Sequence, residues 1–318
     1  MIVSLERHDL PGPPSRGSVV SVGVFDGVHL GHQAILARNT ARARELGAQS
    51  TVVTFRDHPK AVLLGRAPRT LTSLEHRLEL FRRAGIAHTV ALTFDEELKN
   101  VPAEAFAREF LGRRLGARRY VLGFDSKFGR GREGTPERLR EWGLDVVVVP
   151  KVLVAERPVS STAIREAVEL GDLAGAARML GRPVAVYGDV VPGDGRGRGL
   201  GFPTANLDLH HELHPPPGVY ACRARIVPRG TAGAADEGRR FPAVTNVGFR
   251  PTFAKDGEAR GVAPLVEVHL LDFAEDLYGQ HLELEFHAIL RAERRFPDLE
   301  ALRNAITEDV ARSRALLR

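Results

Sequence analysis

The sequence predicts an α/β protein of two domains: a parallel sheet wound with helices over residues 1–182, then an antiparallel β-barrel with a terminal helix over 183–318. Three observations carry this. The length, 318 residues, exceeds one ordinary domain of about 100–200 residues. Short β-branched runs alternate with helical segments as far as Val149, the pattern of a parallel sheet with right-handed crossovers. After Gly181-Arg182-Pro183, strand patterns succeed one another without a helix-length segment between them, which favours a compact barrel.

Each element has its own signal. A β-branched apolar run makes Ser18–Phe25 the first strand, and Gly47 stops a helix over Gly31–Leu46. Further strands read at Thr51–Phe55, His88–Leu92, Arg119–Gly123 and Asp145–Val149. Helices read at Ser73–Ala84, with Ser73 as cap, at Ala103–Leu115 and at Thr135–Trp142. The unbroken run Val146–Val149 suits a strand buried on both faces. A helical pair, Thr162–Leu170 and Leu173–Leu180, precedes the boundary. Beyond it, strands are expected at 184–191, 218–227, 241–248, 264–271 and 281–290. In the last, Leu282, Leu284 and Phe286 alternate with Glu283, Glu285 and His287, as in a half-buried antiparallel strand. Residues 229–240 read as a flexible hairpin insertion. The closing helix is capped by Asp298, and Leu299, Leu302, Ile306, Val310 and Leu317 fall near one face.

Composition removes several classes of function. Apolar residues are 43% and charged residues 27%, a globular balance that excludes a disordered or fibrous chain. One cysteine, Cys222, allows neither an internal disulfide nor a cysteine-based zinc site. No apolar run is long enough to cross a bilayer, and the N-terminus lacks the apolar stretch of a signal peptide. The expectation is a cytoplasmic protein without membrane association. Lys plus Arg is 45 against 40 acidic residues, and only five of the 45 are Lys. The arginines are dispersed among acids, so the charge fits anionic small molecules better than nucleic acid.

Two segments carry chemistry. The first is Gly23-Val-Phe-Asp-Gly-Val-His-Leu-Gly-His32, joining a parallel strand to a helix. Amide N–H groups and the helix dipole make that junction an anion site. Gly27 and Gly31 allow close backbone approach to phosphate. His29 and His32, three residues apart, can both reach one polyphosphate. The second runs from Gly193 to Asn206, with glycine at every second position from 193 to 201. Such a loop can fold over phosphates or remain a solvated hairpin. Thr204 and Asn206 then place two oxygens on one side of an extended segment, suiting a hard cation such as Mg²⁺. No lysine follows a glycine, which excludes a P-loop. Residues Gly129–Gly134 satisfy G-x-G-x-x-G but start several residues past their strand, so they read as a mobile loop over a nucleotide and not as a Rossmann fingerprint. On the strand around Glu267, Val266, Val268 and Leu270 take one face, Glu267 and His269 the other. Glu267 is either an exposed strand carboxylate or a base for a hydroxyl. His269, His211 and His214 read as surface or satisfied histidines.

These segments, with Thr54–Pro59, Leu71–Glu75, Gly123–Gly129 and Val159–Arg165, resemble the adenylyltransferase half of prokaryotic bifunctional riboflavin kinase/FAD synthetases. In the second half, Gly199–Asn206, Pro217–Ala221, Asn246–Thr252 and Val266–Phe273 resemble the riboflavin kinase signature. The resemblance implies a nucleotidyltransferase fold for the first domain. It also implies two ATP-dependent steps, riboflavin to FMN and FMN to FAD, with Mg²⁺ as cofactor. It assigns Glu267 as the kinase base and His29, His32 and Arg165 to adenylyl transfer. It places Gly23, Phe25, Asp26, Gly27, Gly31, Asp125, Ser160, Ser161, Thr162, Gly199 and Gly201 at phosphate or ATP. Thr204, Asn206 and Arg250 fall at the kinase site, with Thr204 and Asn206 as metal ligands. Ser161 and Thr162 can equally serve to cap the helix that starts there. The sequence departs from the family pattern at Ser126, where an aromatic is usual, and at Asp57, where proline is usual.

Overall fold

The computed structural model describes residues 1–193, 196–210, 212–227, 238–253 and 259–318, without the side chains of 196, 198, 249–253 and 259–264. The chain divides into two compact units, Met1–Ser161 and Thr162–Arg318.

The first unit is a six-stranded parallel sheet. Its elements are β1 (Ile2–Ser4), β2 (Ser18–Val22), α1 (Leu30–Leu46), β3 (Gln49–Phe55), α2 (Leu74–Arg83) and β4 (His88–Leu92). They continue with α3 (Ala103–Ala105 running into Phe106–Arg114), β5 (Ala117–Gly123), α4 (Pro136–Glu141) and β6 (Val146–Val149). The strand order is β1-β4-β3-β2-β5-β6. Burial of Val20, Val22, Val53, Val90, Leu111 and Leu122 forms the main core on one face; each such side chain contributes about 1.5–3 kcal/mol of transfer free energy. Buried Asn39 on α1 ties the sheet from the other side, donating to Val19 O, Ser21 Oγ and Thr51 O at 2.9–3.1 Å.

Three expectations change here. The valine run of β6 lies at the sheet edge, where only Val149 is fully buried; continuous apolar sequence does not distinguish an edge from a centre. The helix over 103–115 widens into a π-helix from Phe106, where Tyr120 Oη donates to Ala107 O (2.9 Å) from within the core. Strand β1, three residues long, escaped the pattern entirely.

The division falls at the first residue of α5 (Ser161–Glu169), and α6 (Leu173–Leu180) follows in the second unit. Six strands then close into an antiparallel barrel: β7 (Val184–Val191), β8 (Ala205–Asp208), β9 (Gly218–Val227), β10 (Arg240–Phe253), β11 (Ala259–Leu270) and β12 (His281–Arg291). Their order round the barrel is β8-β11-β10-β9-β12-β7. Helix α7 (Leu299–Leu316) starts where Asp298 caps Ala301 N at 2.7 Å. Most of the insertion expected at 229–240 lies outside the described residues.

Two departures concern faces. Glu283 is 1% exposed rather than solvated, because Arg225 stands beside it across the β9–β12 ladder and bonds it at 2.7 Å. The inner row of α7 is Ala305, Asp309 and Ser313, while Leu299 is 70% exposed.

Candidate active sites

In the first unit the strand order fixes where a ligand binds. From β2 the chain moves outward through β3 and β4, then returns to place β5 on the other side of β2. The loops after β2 and β5 therefore diverge, and a crevice opens at the carboxyl ends of these strands. The loop after β2 is the Gly23–His32 segment.

This loop is held in an uncommon backbone conformation, with Phe25, Gly27 and Val28 all at positive φ. Its fastenings explain that. Asp26, 3% exposed, accepts through Oδ1 from Leu71 N, Thr72 N and Thr72 Oγ1 at 2.9–3.2 Å. Gly27 N donates to Thr72 Oγ1 at 2.9 Å, and a Cβ on Gly27 would sit 2.7 Å from Leu71. Phe25 is buried edge-to-face against Phe81. Phe25 and Asp26 thus shape the loop from beneath.

His29 is the N-cap of α1. Its Nδ1 accepts from His32 N at 3.3 Å, so the proton of the neutral ring resides on Nε2 and that nitrogen is a donor. The His29 and His32 rings stack at 3.6 Å. Gly31 lies directly against the His29 ring, where a Cβ would approach within 3.2 Å. Ser161 Oγ donates to Asp26 O at 2.9 Å, joining the end of the first unit's chain to the same loop. The helix starts at Ser161, one residue earlier than read, which puts Ser160 and not Ser161 or Thr162 in the capping position. Thr162 and Arg165 follow on α5. Asp125 is exposed just beyond β5, and Gly23 N donates to Val53 O at 3.1 Å. The departures Ser126 and Asp57 are half-buried and exposed respectively.

One residue of this site carried no signal in the sequence. Arg77 of α2 is 4% exposed and donates to Val24 O, Thr54 Oγ1 and Arg56 O at 2.9–3.2 Å. It fastens the loops after β2 and β3 together. By pattern it is an ordinary helix arginine; only its spacing of four from the cap Ser73 hints otherwise.

The G-x-G-x-x-G segment forms a hydrogen-bonded turn. Phe128 and Gly134 exchange backbone hydrogen bonds, and Arg130 N donates to Val101 O at 2.8 Å. Gly129 has φ 72°, with space for its Cβ taken by Ala103 at 2.4 Å.

The second site forms on the barrel. Across the β8–β11 ladder Asn206 stands opposite Glu267, and across β10–β11 Asn246 stands opposite the same Glu267. Thr204, two residues before Asn206, continues that side of the segment. His269, two residues after Glu267, holds this segment in place: its Nδ1 donates to Pro203 O at 2.8 Å, and Phe202 packs edge-on to its ring. Two loop glycines lie against the two candidate ligands. A Cβ at Gly193 would fall 1.7 Å from Asn206 Nδ2, and one at Gly197 would fall 3.1 Å from Thr204 Oγ1. Gly199 ends a short helical turn, Arg196–Gly199, and Gly201 takes φ 88°. Arg250 lies on β10 opposite Ala263, but its side chain is outside the described residues. So is His211. His214 is buried, with Nδ1 donating to Pro215 O at 2.8 Å.

Two cavities meet at Thr204. One, about 630 Å³, contains Glu267, Asn246, Arg291, Phe296 and Ile306 in its lining. The other, about 600 Å³, is lined by Val190, Leu270, Phe273, Leu277 and Tyr278. Each is within the range of small-molecule sites. Among the described residues no group of three or more His, Cys, Asp or Glu is placed to hold a metal. The hydroxyl and amide oxygens of Thr204 and Asn206 are hard, neutral donors, and they fit a cation that completes its shell with phosphate and water. Burial pushes the Cys222 thiol pKa well above its ordinary value, which removes it as a nucleophile. Gly193→Ala is expected to lower any activity of this site at least tenfold by displacing the Asn206 amide, while leaving activity of the first unit intact; separate assays of the two activities check it.

Comparison with known proteins places both halves. The family described as FAD synthetase matches residues 13–163, and the family described as riboflavin kinase matches 180–317. A bifunctional riboflavin kinase/FMN adenylyltransferase of Pseudomonas fluorescens is 40% identical, over 96% of this chain and 94% of the relative. One from Escherichia coli (strain K12) is 34% identical, over 95% of this chain and 93% of the relative. A crystal structure from Streptococcus pneumoniae, described as a macrolide-efflux protein, covers 98% of both chains at a TM-score of 0.79 and 29% identity. Among the described residues here, no helix is long and apolar enough to cross a membrane. The match is nearly end to end in sequence and runs through both units, so the chain belongs to the family of bifunctional riboflavin kinases/FMN adenylyltransferases.

Proposed function

We propose that residues 183–318 phosphorylate riboflavin to FMN and that residues 1–182 adenylylate FMN to FAD, with ATP as co-substrate of both steps. The family supplies the two activities. The observation that carries the residue assignment is the placement of Asn206 directly opposite Glu267, which together with Thr204 lines a cavity large enough for a flavin.

In the kinase step, Glu267 must meet the attacking 5′-hydroxyl, which assigns riboflavin to the cavity it lines. ATP then takes the neighbouring cavity, with its γ-phosphate near Thr204, where the two meet. Glu267 accepts the hydroxyl proton as the oxygen attacks phosphorus, and ADP leaves. Thr204 and Asn206 would hold Mg²⁺, which when bound supplies charge neutralisation at the phosphates. Gly193 and Gly197 lie against these two residues, and Gly199, Gly201 and Arg250 carry the binding roles implied by the family motif.

In the adenylyl step, the FMN phosphate is already a nucleophile and needs no strong base. It attacks the α-phosphorus of ATP, and pyrophosphate leaves. The site's work is alignment and charge stabilisation. His29 Nε2, His32 and the amides at the start of α1 donate to the phosphates. Gly23, Gly27 and Gly31 keep the backbone accessible, while Phe25 and Asp26 hold its shape. Asp125, Ser160, Ser161, Thr162 and Arg165 take the nucleotide roles that their motifs imply. A reducing cytoplasm suits the single buried thiol.

Product chromatography tests this reading. Riboflavin with ATP and Mg²⁺ yields FMN, then FAD; FMN with ATP yields FAD and pyrophosphate. Absence of FAD from FMN would reject the assignment of the first unit.

A further inference from the structure

We infer that Asp309 on the terminal helix is a positioning residue for riboflavin, acting through Arg291 and Phe296. This rests on the reading of the Glu267 cavity as the riboflavin site.

Asp309 is 2% exposed and lines that cavity. It binds Arg291 in a two-pronged pair: Nε lies 2.9 Å from Oδ2 and 3.2 Å from Oδ1, and Nη2 lies 2.9 Å from Oδ2. Arg291 is the last residue of β12, so the pair joins barrel to helix at the cavity wall. The Arg291 guanidinium is 5.3 Å from the centre of the Phe296 ring, and that of Arg294 is 5.0 Å from the same ring. Cations at this range hold an aromatic face by its quadrupole. Glu293, between them, accepts from Asn246 Nδ2 at 3.2 Å, and Asn246 neighbours Glu267. The 291–296 wall is therefore fixed at one point to the helix and at another to the strand beside the base.

A purely structural role is the competing account, and the distribution of contacts along α7 argues against it. The distal half of the helix has its own anchors. Ser313 Oγ donates to Ala243 O at 3.0 Å, Leu317 O accepts from Arg223 at 2.6 Å, and Val310 and Leu317 join an apolar cluster on the barrel. The half before Asp309 supplies the cavity lining, Leu302 and Ile306. Asp309 stands where the anchored half passes into the lining half. Removing its charge leaves the helix docked and releases Arg291, and with it the ring that faces the flavin.

Asp309→Asn preserves shape and removes the charge. The expected result is a rise of tenfold or more in KM for riboflavin, with KM for ATP and FMN adenylylation unchanged, and recovery toward wild type in Asp309→Glu. Unchanged KM for riboflavin overturns the inference, as does an equal rise in both KM values. If Asp309→Asn fails to fold, Phe296→Leu gives the same readout one step along the chain of contacts, and an unaltered KM for riboflavin there also overturns it. Quenching of riboflavin fluorescence separates this inference from the reading beneath it. An Ile306→Trp variant that still binds riboflavin rejects the cavity assignment. A variant that loses binding, while Asp309→Asn retains full affinity, rejects only the role of Asp309.

Discussion

Glu267→Gln is expected to stop riboflavin phosphorylation, lowering kcat by about 10²–10⁴, the range associated with a positioned general base. Glutamine keeps the size and one acceptor of the side chain, so the ladder contacts of β11 with Asn206 and Asn246 are retained. What disappears is proton affinity. The variant should still bind riboflavin and ATP, and should still convert FMN and ATP to FAD, because that chemistry belongs to the other unit. Steady-state rates of FMN formation from riboflavin, and of FAD formation from FMN, read both halves of this expectation. Riboflavin phosphorylation persisting within tenfold of the native rate would remove Glu267 from the chemistry.

The second large effect is expected at His29. Replacement by alanine would confound two roles, because the side chain both caps α1 and donates from Nε2. Asparagine separates them. It ranks among the best N-caps, so His29→Asn keeps the helix start. It cannot place a donor where the imidazole Nε2 stands. Loss of one preorganised donor to developing phosphate charge typically costs about 10²–10³ in kcat. With riboflavin and ATP supplied, the variant should accumulate FMN and form little FAD. A fold change below five in FAD formation would assign His29 to capping alone.

The sequence exposed the architecture well and the site unevenly, for physical reasons visible at particular residues. Strands such as His88–Leu92 and 184–191 were legible because every second or every residue is apolar and turn residues bound them. The phosphate loop was legible because glycines and histidines concentrate in ten positions. What surrounds the loop was not. Asp26, expected at the phosphate or ATP, and Arg77, by pattern an ordinary helix arginine, are both buried, and each is satisfied by backbone groups distant in sequence. His269 had no motif of its own and proves to hold Pro203. Period-two reasoning put Glu283 in water, since Arg225 beside it is decided by barrel register and not by local pattern. The apolar stripe assigned to α7 failed at Leu299 for a related reason. The helix lies on a surface that accepts small and polar residues, Ala305, Asp309 and Ser313. Tertiary partners of charged groups are the part of a site that one-dimensional periodicity does not carry.

Counting bound nucleotide addresses the shared premise of both active-site assignments. Equilibrium dialysis of the full chain with a non-hydrolysable ATP analogue and Mg²⁺ should saturate at two molecules per chain. Gly193→Ala should weaken one of them and leave the other at native affinity. Saturation at one molecule per chain, or a single class of site that this substitution weakens as a whole, would contradict the assignment of an ATP site to each unit.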